Sequence, residues 1–502
     1  MPSGTSRSVL RRLPAEQAVP QVTSARHRLP RQFGTAQLVM LGLGVMIGAG
    51  IFSLAGKQAA ANAGPAVLVS FLLASFVCLL AALSYAELSS TIPAAGSVYT
   101  FSYVAFGELW GWLVGWALIL ELLVAAALVA RVWSAYFVAT LDGFGLPVPD
   151  WLGQSASVGE GLNWVGFGVL ALLTLMVVTG TKLSARVLSV VVVAKVAVIL
   201  FVIVVGARYV SASNYTPFVP ERVPATESGG GTTVLQLLLG SSDTFGLVGV
   251  FTATGVIVFA YIGFDLIATA AEEAVEPRRS IPRSMLISLA LVTVLYLAMA
   301  AVLVGLRPHT ELGGAAPVTE ALTAAGVTWA ADLVNLGALL ALTTVILVLL
   351  IAQSRLLFAM GRDRLLPEPL GRVSSLGAPG VAAGVAGTVA ALVALYPGLA
   401  DLEQLLVIGA LFAFLFCAVG VIWLRHSQPD LERGFRVPWV PALPLLSGLA
   451  TVWLMLNLTT LTWRNFGVWM TAGLVLYLAY GRRTSNLADR APVVRQGTHA
   501  MR

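Results

Sequence analysis

The sequence predicts a polytopic α-helical membrane protein, on the evidence of its composition and its repeated long apolar runs. Of its 502 residues, 58% are hydrophobic and only 11% are charged, whereas a soluble globular chain carries about 25% charged residues. Apolar runs of about 18 residues or more recur, and each is long enough to cross a hydrocarbon core of about 30 Å as a helix. A transmembrane β-barrel needs alternating polarity, and residues 190–194 (VVVVA) do not alternate.

Polar and turn-forming residues divide the apolar sequence into twelve predicted spans. The first six lie near residues 36–62, 66–90, 106–140, 164–180, 186–207 and 246–271. The other six lie near residues 284–306, 332–358, 380–397, 402–424, 438–460 and 464–481. An even number of spans places both termini on the same side of the membrane.

The placement of Lys and Arg predicts that this side is the cytoplasm. Most of the 30 cationic residues fall in the two terminal tails and in the segments on their side, and cytoplasmic loops are enriched in cations. The outside loops hold Arg208, Arg222, Arg307 and Arg464. We therefore expect a multi-pass protein of the plasma (inner) membrane, and membrane orientation explains the net charge of +6 better than nucleic-acid binding does. The first 35 residues lack a long apolar core, so they predict a tail and not a signal peptide.

Two of the spans are predicted to be interrupted at mid-membrane. The first contains Gly42, Gly44, Gly48 and Gly50, and glycine weakens a helix. Five spans later, residues 255–265 again place glycine and an acid near the middle. An interval of five spans reverses orientation, so spans one to five and six to ten are predicted to be inverted copies, as in many transporters. The alternative is that the glycines form close-packing faces between helices.

This pattern predicts both an organisation and a ligand. The organisation is a basic cytoplasmic N-terminal tail (1–35), a first inverted repeat (36–207), an extracellular loop (208–245), a second inverted repeat (246–424), two peripheral helices (425–481) and a cytoplasmic C-terminal tail (482–502). Unwound backbone exposes N–H groups that suit a carboxylate. Free carbonyls suit an ammonium group, so two breaks together suit a zwitterion such as an amino acid.

At these positions the chain resembles the amino acid, polyamine and organocation transporter superfamily, and within it the cationic amino acid transporter branch. The resemblance runs from about Phe33 to Tyr480. Its most specific pieces are residues 47–52 (IGAGIF), 259–265 (FAYIGFD), 272–273 (EE), 276–283 (EPRRSIPR) and 354–363 (SRLLFAMGRD). The resemblance implies a five-plus-five inverted-repeat (LeuT-like) fold, with helices 1 and 6 broken, and transport by alternating access.

The resemblance also implies the substrate site. Backbone groups of one segment would hold the substrate carboxylate: Ile47, Gly48, Ala49, Gly50 and Ile51. Carbonyls of a second segment would accept from its amine: Phe259, Ala260 and Ile262, with Phe259 also serving as an aromatic lid. The family often has a hydroxyl residue where this chain has Ala49. Leu342 and Ala125 are apolar candidates for the side-chain pocket.

Lys195 lies midway along the fifth span, where a cation is a functional candidate. In the family a lysine here stands where sodium-coupled relatives bind a cation, so the resemblance implies sodium-independent, proton-coupled transport. A buried amine can bind and release a proton. We expect the backbone near Gly44 and the hydroxyls of Thr343 and Thr344 as its neighbours. The alternative is a permanently charged lysine fixed by a carboxylate or carbonyl.

Other polar residues are candidates for the cavity or a gate. Glu121 is expected to line the cavity, to neutralise a buried cation such as Lys195, or to stabilise the bundle. Asp265 follows the second break, where it is expected to cap the next half-helix or, alternatively, to contact substrate. Tyr261 lies within the same break. The charges at the cytoplasmic mouth predict either salt bridges of an inner gate or a solvated loop: Glu272, Glu273, Arg278, Arg279 and Arg283.

We therefore predict an amino acid permease that works with protons in a lipid bilayer. The alternatives are an amino acid exchanger, a transport fold used as a sensor or channel, and a membrane-embedded enzyme. No His-Glu-x-x-His or Gly-x-Ser-x-Gly motif occurs and the four histidines fall outside the spans, which argues against an enzyme. We expect no cofactor or metal, and leave a small accessory subunit open. Small neutral amino acids are favoured, with arginine or lysine as substrates if Glu121 faces the cavity.

Overall fold

The computed structural model describes residues 33–94, 96–146, 149, 161–179, 185–224, 232–239, 243–314, 316–374, 378–396 and 403–486. The predicted N-terminal tail lies outside these residues up to position 32, and the C-terminal tail lies outside them from position 487. Lys182, one of the cations used to orient the chain, also falls outside them.

Helices lie at each predicted span. In the first half they are α1 (Thr35–Met46), α2 (50–63), α3 (Val67–Thr91), α4 (Val98–Phe106), α5 (Glu108–Gly143), α6 (Trp164–Val178), α7 (Ala185–Gly206) and the short α8 (Val234–Leu239). In the second half they are α9 (Gly246–Tyr261), the 3₁₀-helix α10 (Asp265–Glu273), α11 (Pro277–Leu306), α12 (Pro317–Ala324), α13 (Thr328–Arg362), α14 (Gly380–Ala394), α15 (Glu403–Ser427), α16 (Ala442–Leu456) and α17 (Thr460–Leu476). Strands β1 (Val223–Pro224) and β2 (Asp243–Thr244) form a two-residue antiparallel ladder between α7 and α9.

The described helices have the length and hydropathy of membrane spans. Seven helical segments are long and apolar enough to cross a membrane, the first of them running from Thr35 to Thr91 through a break, and α6, α14 and α16 are shorter apolar helices. Large apolar side chains such as Leu72, Val190 and Leu449 are exposed on the outer surface, where lipid replaces water as the solvent. Together they confirm an all-α polytopic membrane protein. Cys78 and Cys417 are buried free cysteines.

A buried acid near the C-terminal end of α3, Glu87, joins this helix to the end of α15 and the segment that follows it. Glu87 accepts hydrogen bonds from Arg425 Nε and Nη2 at 2.8 and 2.6 Å, and from the N–H of Val437 at 2.7 Å. Arg433 Nε lies 3.4 Å from the same carboxylate. With two guanidinium groups and one backbone donor, the carboxylate compensates for its loss of water.

We expect Glu87→Gln to lower the free energy of unfolding by about 2–4 kcal/mol. Removing one partner of a buried pair costs about 3–5 kcal/mol, and the Arg425 side chain is 28% exposed, which lowers the loss. Thermal unfolding in detergent measures the change. Glu368→Gln is the matched control, because Glu368 and Arg372 form an exposed pair worth about 0.5 kcal/mol or less. Equal losses in the two variants would contradict the prediction.

Candidate functional site at two helix breaks

The first break separates α1 from α2. α1 ends at Met46, Ile47 adopts an extended conformation (φ −74°, ψ 91°), and regular winding resumes by Gly50. The predicted carboxylate-binding residues therefore span the break and the first turn of α2. The N–H groups of a first helical turn have no carbonyl partner within their own helix, so those of Gly48, Ala49, Gly50 and Ile51 are potential donors to an anion.

The glycines of the first span differ in their roles. Gly42 and Gly44 remain inside α1, where a Cβ would lie 2.6 Å from Ile267 Cδ1 and 3.1 Å from Val192 Cγ2, respectively. A Cβ on Gly48 would lie 2.8 Å from Val345 Cγ2. Close packing therefore describes Gly42, Gly44 and Gly48, and Gly48 lies in addition at the break.

The second break follows α9. Ile262 has ψ 130° and Gly263 has φ +131°, a backbone conformation that residues with a Cβ rarely adopt. The N–H of Gly263 donates to Asp265 Oδ1 at 2.9 Å. Asp265 thus closes the turn that opens α10, and this oxygen bonds to backbone.

The two breaks contact one another. A Cβ added to Gly50 would lie 2.5 Å from Ala260 Cα, and one on Gly263 would lie 2.8 Å from Val45 Cγ1. The backbone of each break therefore comes within van der Waals range of residues of the other. The residues predicted to bind carboxylate and amine lie side by side in the core.

Tyr296 on α11 joins the breaks, and the sequence analysis did not find it. The Tyr296 hydroxyl donates to the Met46 carbonyl, and its oxygen lies 3.0 Å from the carbonyl oxygen of Ala260. The Phe259 carbonyl in turn accepts from the N–H of Ile262 at 3.2 Å. Of the three carbonyls predicted to receive an amine, two thus already have one donor, and a carbonyl oxygen can accept a second. The presence of a tyrosine inside an apolar span could have indicated this role, because a buried hydroxyl group requires a hydrogen-bond partner.

Lys195 on α7 is buried against the first break. Its Nζ donates to the carbonyls of Gly44 at 2.7 Å and Ile47 at 3.3 Å. These groups are freed where α1 ends, and within the described chain they are its hydrogen-bond partners. Two backbone carbonyls, and not a carboxylate, therefore hold the amino group of Lys195. The described residues contain no Lys195–Glu121 ion pair.

The expected hydroxyl neighbours of Lys195 are occupied elsewhere. The Thr343 hydroxyl donates to the Leu339 carbonyl at 2.7 Å and accepts from the Trp133 indole at 2.9 Å. The Thr344 hydroxyl donates to the Ala341 carbonyl at 2.9 Å. Neither supplies a hydrogen bond to Lys195 in the described part of the chain, because each is turned back onto α13 itself.

Other candidate residues lie in the core around the breaks. Leu342 on α13 and Ala125 on α5 are buried and apolar. The Tyr261 hydroxyl donates to the Phe71 carbonyl at 3.1 Å, so Tyr261 packs α9 against α3. Glu121 is fully buried on α5.

The acids at the end of α10 pair with α13 and not with the arginines that follow them in the chain. Glu273 forms a salt bridge with Arg355, and Glu272 lies 4.0 Å from Arg362. The Tyr99 hydroxyl donates to Asp363 at 2.6 Å; burial raises the pKa of Asp363, and Arg362 and Tyr99 partly offset that shift.

The neighbouring arginine has a different partner. Arg278 pairs at 2.5 Å with Glu432, and both side chains are exposed. The acids of α10 thus pair with α13, whereas Arg278 pairs with an acid on the surface. No group of three or more His, Cys, Asp or Glu residues able to hold a metal occurs among the residues described.

A family model for amino acid permeases matches residues 33–479. The chain belongs to the amino acid permease family. This permease is 39% identical over 471 residues to the branched-chain amino acid permease BcaP of Bacillus subtilis (strain 168), covering 93% of this chain and 96% of the relative. It is 38% identical over 483 residues to the methylthioribose transporter of the same organism, covering 96% and 99%.

A plant relative extends the comparison to the predicted branch. The permease is 33% identical over 410 residues to the vacuolar cationic amino acid transporter 4 of Arabidopsis thaliana, covering 80% of this chain and 65% of the relative. Membership of the amino acid, polyamine and organocation superfamily is thereby confirmed. These families are transporters, which confirms a carrier over an enzyme.

Proposed function

We propose that this permease moves a neutral amino acid together with a proton, independently of sodium, by alternating access at the two breaks. The observation that carries the proposal is the position of Lys195, whose side-chain nitrogen donates hydrogen bonds to the carbonyls of Gly44 and Ile47. A cation that the protein itself supplies takes the place of a bound metal cation. Binding and release of its proton then changes the charge beside the substrate site.

The substrate is held by backbone groups in this proposal. The N–H groups of Gly48, Ala49, Gly50 and Ile51 receive the carboxylate, and the carbonyls of Phe259, Ala260 and Ile262 receive the amine. Leu342 and Ala125 face the substrate side chain. An apolar pocket suits a neutral side chain, and the name of the relative BcaP supports this class.

The remaining architecture belongs to the same proposal. Twelve spans form two inverted repeats of five with two peripheral helices, and both termini lie in the cytoplasm. The bacterial relatives support a plasma-membrane location. The buried pairs between α10 and α13 form an inner gate that separates during transport.

Uptake by purified permease in proteoliposomes tests the proposal. We expect accumulation of a labelled branched-chain or other small neutral amino acid when the outside is acidic, with no effect of replacing sodium by potassium. All twenty amino acids and methylthioribose are used as competitors. Preference for arginine, lysine or methylthioribose would overturn the substrate class. Uptake that requires internal amino acid but no pH gradient would establish an exchanger instead.

A further inference from the structure

Glu121, in the middle of α5, is a buried acid without a partner. Its side chain is 0% exposed, and neither carboxyl oxygen has a hydrogen-bond partner among the described residues. The salt bridges of the described chain do not include it. An ionised carboxylate without water, donors or a cation is strongly disfavoured. We therefore expect the Glu121 side chain to bind a proton and to be neutral.

The surroundings of Glu121 offer another acid and no cation. A Cβ on Gly409 of α15 would lie 3.2 Å from Glu121 Cβ, so the side chain begins at the α5–α15 contact. Asp265, at the start of α10, is near enough for its charge to act on Glu121, and the salt bridges of the described residues bring no cation to either acid.

A phenol and a thiol complete the cluster around Asp265. Tyr85 on α3 and Cys417 on α15 are buried and within range of its charge, and neither type of group is charged near neutral pH. The rings of Phe264 and Phe414 pack on Tyr85 at centroid distances of 5.7 and 5.6 Å. The cations of α13, Arg355 and Arg362, are paired with Glu273 and Glu272 at the cytoplasmic mouth. The two acids thus share an apolar part of the core with two polar groups that are uncharged near neutral pH.

The two acids differ in their hydrogen bonds. Asp265 receives the N–H of Gly263 at 2.9 Å, whereas Glu121 receives none. Two carboxylates in one apolar site cannot both ionise without strong repulsion. The donor favours negative charge on Asp265, which leaves the proton for Glu121.

We propose that Glu121 is a proton-binding site coupled through Asp265 to the break between α9 and α10. Binding forms the O–H bond of a neutral carboxylic acid, and release returns the proton to water at the cytoplasmic mouth. Release places a second negative charge beside Asp265. Because Asp265 begins α10, and α10 ends in Glu272 and Glu273, repulsion there displaces the segment that holds the inner gate. The coupling role rests on the proposed function, but the proton itself does not.

Infrared spectroscopy of the purified permease tests the proton without transport. Near neutral pH we expect a C=O stretching band of a protonated carboxylic acid in an apolar environment. The band disappears in Glu121→Gln and persists in Asp265→Asn, the matched control. If Glu121→Gln does not accumulate, a shift of the band in Glu121→Asp assigns it equally well. Loss of the band in Asp265→Asn alone, or its absence from the wild type, would overturn the proposal.

Proteoliposome uptake tests the coupling separately. The ratio of uptake rates at acidic and neutral external pH should fall towards one in Glu121→Gln, because glutamine carries a fixed neutral side chain. A wild-type ratio in this variant would show that Glu121 has no part in coupling. If the wild type itself ignores the pH gradient, proton-coupled transport fails, while the infrared result still decides whether Glu121 holds a proton.

Discussion

Lys195→Met is expected to reduce proton-driven uptake to the background of empty liposomes. Methionine approximates the length and volume of the lysine side chain, but it has no donor for the carbonyls of Gly44 and Ile47. Without the lysine amine, the end of α1 lacks the donor to its free carbonyls and the group that is proposed to bind and release a proton. Loss of a donor to buried carbonyls costs about 1–3 kcal/mol, which removing a buried charge partly offsets. Uptake driven by an acidic exterior, normalised to reconstituted permease, measures the effect.

The same substitution at Lys57 is the matched control. Lys57 Nζ lies 4.0 Å from Glu403, and both side chains are partly exposed. Since partly exposed pairs contribute about 1 kcal/mol or less, Lys57→Met should retain most of the uptake. Normal pH-driven uptake by Lys195→Met would refute the role of Lys195, and equal loss in both variants would point to a general intolerance of methionine.

Helix positions were predictable from the sequence because lipid imposes length and apolarity on every span. The long apolar runs accordingly coincide with helices, and the two weakened segments contain the breaks. The positions of the breaks within those segments were less predictable. Gly42 and Gly44 stay helical, and so does Gly255 in α9, whereas Gly48 and Gly263 lie at the breaks. Glycine permits unwinding, but neighbouring helices decide which glycine unwinds.

The side-chain contacts of the site were harder to predict because they join distant segments. The backbone near Gly44 was expected beside Lys195 and is there, through its carbonyl. The hydroxyls of Thr343 and Thr344 were expected as well, but threonine in a helix commonly bonds back to its own carbonyls. The role of Tyr296 depends on α11 crossing both breaks. A single sequence contains no record of that crossing.

Gly50→Ala is expected to abolish amino acid uptake while leaving the permease in the membrane. The added methyl group would overlap with Ala260 on the second break. Overpacking of this kind costs about 1–3 kcal/mol, and here the strain falls on the backbone groups proposed to hold the carboxylate and amine. If the added methyl group pushes the two breaks apart, the N–H groups for the carboxylate and the carbonyls for the amine are displaced together. Substrate binding by scintillation proximity and uptake should therefore decline in parallel.

The contact between the breaks also supplies a rescue. Ala260→Gly removes Cβ, one of the two Ala260 atoms that the new methyl group meets, and leaves Cα 2.5 Å away, so the double variant should recover only a small part of the binding lost in Gly50→Ala. Gly467→Ala is the matched control, because nothing lies within 4 Å of a Cβ at that position. Wild-type binding by Gly50→Ala would exclude the contact between the breaks from substrate recognition. A double variant that binds as weakly as Gly50→Ala would assign the clash to the backbone atoms of Ala260 alone.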